Sequence, residues 1–253
     1  MPAVLPSPVV AQRATDPVRR IGLIALATDL TSERDAATLL PADTALHVTR
    51  VPFENPTTPA TLRRLEGALS SAADLLVPDE PLSAIILSCT AASATIGDAA
   101  VSAAIEEALP GVPVVTPPEA ACDAFAALAV RRIALLTPYL PETTAPMVAY
   151  FEGRGLDIVR AHCLGLADDR QMARIAADSI LAAAEAVDCA EAEAVFLCCT
   201  ALPALGVIAR IEERIGKPVV TSNQASFWRA LGHAGRAIKG PGRLFAGHAA
   251  VPA

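Results

Sequence analysis

The chain repeats itself. Arg19-Arg20-Ile21-Gly22-Leu23-Ile24 returns as Arg131-Arg132-Ile133-Ala134-Leu135-Leu136, and Ser88-Cys89-Thr90 returns as Cys198-Cys199-Thr200. Gly111-Val112-Pro113-Val114-Val115-Thr116 returns as Gly216-Lys217-Pro218-Val219-Val220-Thr221. A single match of this kind arises easily by chance. Three in the same order, at nearly constant spacing, mean two copies of one structural unit. Each block is a short apolar run, the pattern of a strand buried on both faces in a parallel sheet. The spacing predicts strands over 21–27, 46–51, 83–88 and 113–116 in the first half, and over 132–137, 156–163, 194–198 and 218–221 in the second. Helices are predicted over 32–40, 58–76, 93–108 and 118–129, then over 141–153, 168–187, 203–214 and 223–234. Alternating strands and helices imply parallel pairing through right-handed crossovers. The expected fold is α/β, with two pseudo-symmetric lobes and a cleft between them. Each lobe is a four-stranded, mainly parallel sheet flanked by helices. Residues 19–130 make the N-terminal lobe and 131–238 the C-terminal lobe, with their terminal elements free to exchange. Residues 1–18 read as a disordered leader, and 239–253 as a flexible tail rich in Gly, Ala and Pro.

The repeated Cys-Thr pairs carry the chemistry. Both follow an apolar strand, so both are expected at a strand's C-terminal end and at the mouth of the next helix, where open α/β sheets place ligands. A substrate between the lobes then meets Cys89 from one side and Cys199 from the other. A helix N-terminus favours a thiolate and presents free N–H groups to an anion. A free thiol has a pKa of about 8.5, so modest help makes it a base near neutral pH. One thiolate can take a proton from a carbon acid while the second thiol returns one from the opposite face, inverting the centre. N–H groups and the hydroxyls of Thr90 and Thr200 would hold the enediolate. Alternatively, one thiolate adds to a double bond and allows rotation about it. Buried cysteines are also common small core residues. Cys122, Cys163 and Cys189 are read that way, and Cys198 as packing, because neighbours on a strand point to opposite sides.

Composition removes other classes. The chain has six cysteines, no Cys-x-x-Cys and no export signal, which points to free thiols and a cytoplasmic location. The histidines at 47, 162, 233 and 248 are isolated, so no metal site is expected, and the enzyme is expected to need no cofactor. Net charge is −7 and aromatics are 4%, with no basic stripe, which argues against nucleic-acid binding. Although 53% of residues are apolar, no uncharged apolar run reaches the roughly 18 residues of a membrane span. The Arg19-Arg20 and Arg131-Arg132 pairs precede strands, away from the site, and read as solvated surface.

The paired Cys-Thr motifs resemble the Asp/Glu racemase superfamily, in the branch with maleate cis-trans isomerase and arylmalonate decarboxylase. The segments running from Arg20 to Thr31, 49–56 and 135–139 resemble most the ectoine-utilisation protein EutA. The resemblance spans about residues 19 to 235. It implies catalytic roles for Cys89 and Cys199, and substrate contacts from Asp29, Thr90, Ala91, Tyr139, Asp169, Thr200 and Ala201. It further implies a small carboxylate substrate, a homo-oligomer such as a dimer, and a place in ectoine or hydroxyectoine breakdown. The chain departs from the maleate isomerase pattern by carrying Asp29, Asp169 and Ala201 where that pattern has asparagines. Two carboxylates there disfavour a dicarboxylate and favour a substrate bearing an ammonium group, unless both merely start helices. Arylmalonate decarboxylases have glycine in place of Cys89. The leading expectation is a two-base racemase, epimerase or isomerase of a small amino or hydroxy acid. A decarboxylase, a maleate isomerase and a non-catalytic binding protein are the alternatives.

Overall fold

The computed structural model describes residues 2–7, 9–11, 17–236 and 239–246. The first sheet holds β1 (Arg19–Leu26), β2 (Thr44–Val51), β3 (Ala84–Ser88) and β4 (Val114–Val115) in the order β2-β1-β3-β4. The second holds β5 (Arg132–Thr137), β6 (Asp157–Cys163), β7 (Ala194–Leu197) and β8 (Val219–Thr221) in the order β6-β5-β7-β8. All pairings are parallel, and the two orders correspond strand for strand. The expected fold is therefore present: two like lobes, each a four-stranded parallel sheet between helices. The central strands are buried throughout, as in Ile21, Leu23 and Ile24 of β1 and in the whole of β3 and β7, whereas the edge strand β6 is largely exposed. Burying each such Leu or Ile is worth about 1.5–3 kcal/mol, so these strands anchor the lobes.

The first lobe's helices are α1 (Ser32–Leu39), α2 (Pro59–Arg63), α3 (Glu66–Asp74), α4 (Thr90–Ile96), α5 (Asp98–Glu106) and α6 (Pro117–Ala127). The second lobe's are α7 (Pro141–Gly153), α8 (Asp169–Met172), α9 (Ala177–Val187), α10 (Ile208–Ile215) and α11 (Ser222–His233), followed by α12 (Arg243–Ala246). Three expected single helices are broken. The run 58–76 divides into α2 and α3, and 168–187 divides into α8 and α9. The run 93–108 divides at Gly97, whose φ of 97° ends α4 and starts α5.

The last helix of each half reaches across to the other. Phe125 of α6 meets Phe196 of β7 edge to face, with ring centroids 5.8 Å apart, and Phe151 of α7 completes the cluster at 5.3 Å from Phe196. In return α11 packs against α6, α1 and β3. The joint between the lobes is thus apolar and continuous with both cores.

Residues 239–246, expected to be flexible, are docked. Leu244 is buried, Gln224 Nε2 donates to the Pro241 carbonyl (2.8 Å), and the Arg243 N–H donates to the Glu212 carboxylate (3.0 Å). Gly242 makes this possible: with φ of 86°, a Cβ there would lie 2.5 Å from Ile208 Cγ2. Small residues that suggested looseness here permit close approach. Residues 247–253 of the expected tail, and 1, 8 and 12–16 of the expected leader, lie outside the described residues. The described leader residues 2–7 and 9–11 are exposed and form neither helix nor strand. Among the described residues, no helix is long and apolar enough to cross a membrane.

Candidate active site

A small cavity opens where the C-terminal ends of the two sheets face one another. Leu26, Asp29, Thr57, Ser88, Cys89, Tyr139, Asp169, Cys199, Thr200 and Ala201 line it. Both repeated cysteines are in this wall, and both are buried. Among the described residues, no Lys, Arg or His lines the cavity.

The two thiols are presented differently. Cys89 has an extended backbone (φ −157°, ψ 104°) and caps α4, with the Ala92 N–H donating to its Sγ at 3.4 Å. Cys199 has φ of 109°, a region that L-residues rarely occupy and that costs on the order of 1–3 kcal/mol. A turn and a short 3-10 segment (Leu205–Val207) follow it, and α10 begins only at Ile208. The expectation that both thiols sit at a helix mouth therefore holds for Cys89 and fails for Cys199. The cause is local: Pro203 has no N–H to donate and biases Leu202 away from helical backbone, whereas Ser93 stands at the matching place in the first copy.

Cys199 has more donors. Its Sγ accepts from the Ala201 N–H at 3.3 Å, and the nearby Tyr139 hydroxyl and Leu202 N–H, the latter closing the turn on the Cys199 carbonyl at 3.3 Å, also favour its anion. Burial pushes its thiol up to about 12, with those three donors pulling against the rise. Burial raises Cys89 further, with only the Ala92 N–H opposing, and the charges of Cys199, Asp169 and Asp29 add to the rise. Tyr139 is buried, and both burial and the nearby cysteines hold its hydroxyl protonated as a donor. Of the pair, Cys199 is the more readily ionised and Cys89 the one that holds its proton more firmly.

The aspartates are in the wall and engaged. Asp29 Oδ1 accepts from the N–H groups of Thr31 (2.8 Å) and Ser32 (3.0 Å), and its Oδ2 accepts from the Ser32 hydroxyl (2.6 Å). Asp29 thus satisfies the start of α1. Asp169 is not a cap; Asp168 caps α8 by accepting from the Arg170 N–H. Asp169 instead joins the lobes, accepting from Thr28 Oγ1 and from Asn55 Nδ2 (2.9 Å). Among the described residues neither carboxylate forms an ion pair with a Lys or Arg side chain, so both place a carboxylate at the cavity without a cation beside it.

Thr90 and Ala91 are fully buried behind Cys89 and are not in the wall. The Thr90 hydroxyl donates to Ser222 Oγ (2.8 Å). Thr200 lines the cavity, but its hydroxyl donates to the Ser88 carbonyl (3.0 Å). Ser88, Thr57 and Leu26 line the cavity without having been singled out as substrate contacts, and Asn55 and Ser222 support it from behind. Ser88 had a visible signal, its place in the repeat beside Cys89. Asn55 lay in a loop with no local signature. Among the described residues, no group of three or more His, Cys, Asp or Glu side chains is arranged to hold a metal ion.

The two-lobed α/β fold with a cavity where the lobes meet is that of a known class of enzymes, and this chain belongs to it. The family model for arylmalonate decarboxylase matches residues 68–245, so the chain is a member of that family. Among its relatives is the maleate isomerase of Nocardia farcinica, 28% identical over 93% of this chain and 99% of that protein. The arylmalonate decarboxylase of Bordetella bronchiseptica is 34% identical over 58% of this chain and 63% of that protein. The structure of the Nocardia farcinica maleate cis-trans isomerase with a covalently bound succinylcysteine intermediate superposes with a TM-score of 0.82 at 25% identity. It covers 90% of this chain and 98% of that one.

Proposed function

We propose that this chain is a cofactor-independent isomerase of a small carboxylic acid, with Cys199 as base and Cys89 as the opposing acid. The observation that carries this reading is the pair of unequal thiols on one cavity. Cys199, held by Tyr139, Ala201 and Leu202, accepts the α-proton: the substrate C–H bond breaks and an S–H bond forms. The carbanion's charge moves into the carboxylate. Cys89 then gives its proton to the other face of the same carbon, and the two thiols exchange protons with solvent before the next turnover.

The substrate is read as amino-bearing. Asp29 and Asp169 place negative charge in a wall without a basic side chain, which opposes a second carboxylate and suits an ammonium group. A positive charge brought beside Cys199 also lowers a thiol that protein groups alone leave at about 12. Racemisation or epimerisation of an amino acid such as a diaminobutyrate derivative fits both, as the likeness to EutA of ectoine breakdown suggests; hydroxyaspartate, the other candidate, brings the ammonium group together with a second carboxylate. A second reading has one thiolate adding to a cis double bond, followed by rotation and elimination. The succinylcysteine of the Nocardia farcinica relative favours it. Decarboxylation needs only one protonating face, and the second thiol goes unused.

A substrate screen in deuterated buffer tests the proposal. Amino-bearing candidates should exchange their α-hydrogen and lose optical purity without releasing carbon dioxide. Carbon dioxide release, or conversion of maleate without any α-exchange of amino acids, would overturn it.

A further inference from the structure

The peptide groups around Cys199 are held in an unusual way. One N–H group donates to its sulfur, that of Ala201 (3.3 Å), and the next, that of Leu202, closes the turn on the Cys199 carbonyl (3.3 Å). The Ala201 N–H belongs to the Thr200–Ala201 peptide, and the carbonyl of that same peptide, Thr200 O, accepts from Asn223 Nδ2 at 2.9 Å. The Leu202 N–H belongs to the Ala201–Leu202 peptide, whose carbonyl, Ala201 O, accepts from the Thr31 hydroxyl at 2.8 Å. A peptide group is planar and trans, so its C=O and N–H point in opposite directions. Gripping the two carbonyls from behind therefore fixes Ala201 on both sides, with its N–H aimed at the sulfur and the Leu202 N–H at the Cys199 carbonyl. A hydrogen bond at the carbonyl also polarises the N–H at the other end.

Both grips depart from what local structure would ask of these residues. Thr31 is the residue before α1, where a threonine hydroxyl normally accepts from the helix's own N–H groups, yet it makes no such bond. Asp29 takes that task, and the Thr31 hydroxyl is released to reach the other lobe. Asn223 lies in the first turn of α11, is nearly fully buried, and spends both amide hydrogens on acceptors, Thr200 O and Asp35 Oδ2 (2.8 Å). Its orientation is fixed, because both partners only accept. The Ser222 hydroxyl holds the remaining peptide by accepting from the Cys199 N–H at 2.9 Å. No equivalent exists around Cys89: where Ser222 and Asn223 follow Thr221, Pro117 and Pro118 follow Thr116, and neither can donate.

We infer that Thr31 and Asn223 are positioning residues that create the anion site of Cys199, by locking the carbonyls of the two peptides that flank Ala201, whose N–H faces its sulfur. Thr31 comes from the N-terminal lobe, so the contact between lobes completes the activation of the C-terminal lobe's thiol. The inference rests on the reading of Cys199 as the base, but its test uses no substrate and so stands or falls separately.

The test is alkylation of the full chain by iodoacetamide across a range of pH, quantified for each cysteine by mass spectrometry. In Thr31→Val and in Asn223→Ala, the pH at which Cys199 becomes reactive should rise by about one unit, making it roughly tenfold slower at fixed pH. Cys89 should stay within about twofold. Thr31→Ser, which keeps the hydroxyl, should restore Cys199 to within about threefold of the native rate. General loosening of the structure would instead speed both cysteines together, and that result would overturn the inference. So would an unchanged Cys199 profile in folded Thr31→Val. Should Asn223→Ala fail to fold, the Val and Ser pair at position 31 decides the matter alone.

Discussion

Cys89 ends a strand and begins a regular helix, on unstrained backbone, with one N–H on its sulfur. Cys199 ends the matching strand of the other lobe on strained backbone, in a turn held by side chains from α11 and from the opposite lobe, with the Ala201 N–H on its sulfur and the Tyr139 hydroxyl and Leu202 N–H beside it. Two copies of one unit have thus diverged at the point where the chemistry lies. A symmetric pair of thiols would compete equally for one proton. The asymmetry gives each a role: the thiol with more donors holds the negative charge, and the thiol beside Asp29 and Asp169 keeps its proton. Strain at Cys199 is tolerated because hydrogen bonds from outside its own segment over-determine it.

The largest way to sharpen this comparison is to remove either thiol. Cys89→Ala and Cys199→Ala should each lower kcat by about 1,000-fold or more while leaving thermal unfolding within a few degrees, since one acid or base commonly supplies 100- to 10,000-fold. The next concerns the charge near Cys89. Asp29→Asn combined with Asp169→Asn should shift preference from amino-bearing substrates toward maleate by about tenfold or more, read as the ratio of kcat/KM values. An unchanged ratio would leave Asp29 as a helix start and Asp169 as a link between lobes, with no part in selection. The smallest effect is on stability. Burial raises both thiols above their unfolded value of about 8.5, so the folded state keeps protons that the unfolded chain loses as pH rises. Stability is complete below about pH 8.5 and declines above it, toward about 12 for Cys199, by about 1.4 kcal/mol per pH unit for each such thiol. Urea unfolding at pH 7 and at pH 9.5 should show this decline, and Cys199→Ser should make it shallower.

Much of this was legible in the sequence. The repeat blocks at 19–24 and 131–136, and at 88–90 and 198–200, carry strand order and thiol placement because buried strands need continuous apolar runs, and such runs survive duplication. The helix breaks at Gly97 and before α10 were less so, though Gly97 and Pro203 stood in the sequence as signals. The supports of the Cys199 turn were not legible. Thr31 and Ala201 are far apart along the chain, and nothing local says that a threonine before a helix will bond across the molecule. Thr90 and Ala91 misled in the same way: adjacency to Cys89 suggested the cavity, but the first turn of α4 carries them into the core. The docked tail was hidden because Gly and Pro mark both loose chain and close contact.

The most direct test of the unequal thiols is α-hydrogen exchange in deuterated buffer with the single cysteine variants and each enantiomer of a turned-over amino acid. Removing Cys89 should leave the enantiomer facing Cys199 exchanging its α-hydrogen, now with retained configuration, while removing Cys199 should leave the opposite enantiomer exchanging more slowly near neutral pH. Exchange that disappears for both enantiomers in both variants, or that is equally fast in the two, would contradict the division of roles between Cys199 and Cys89.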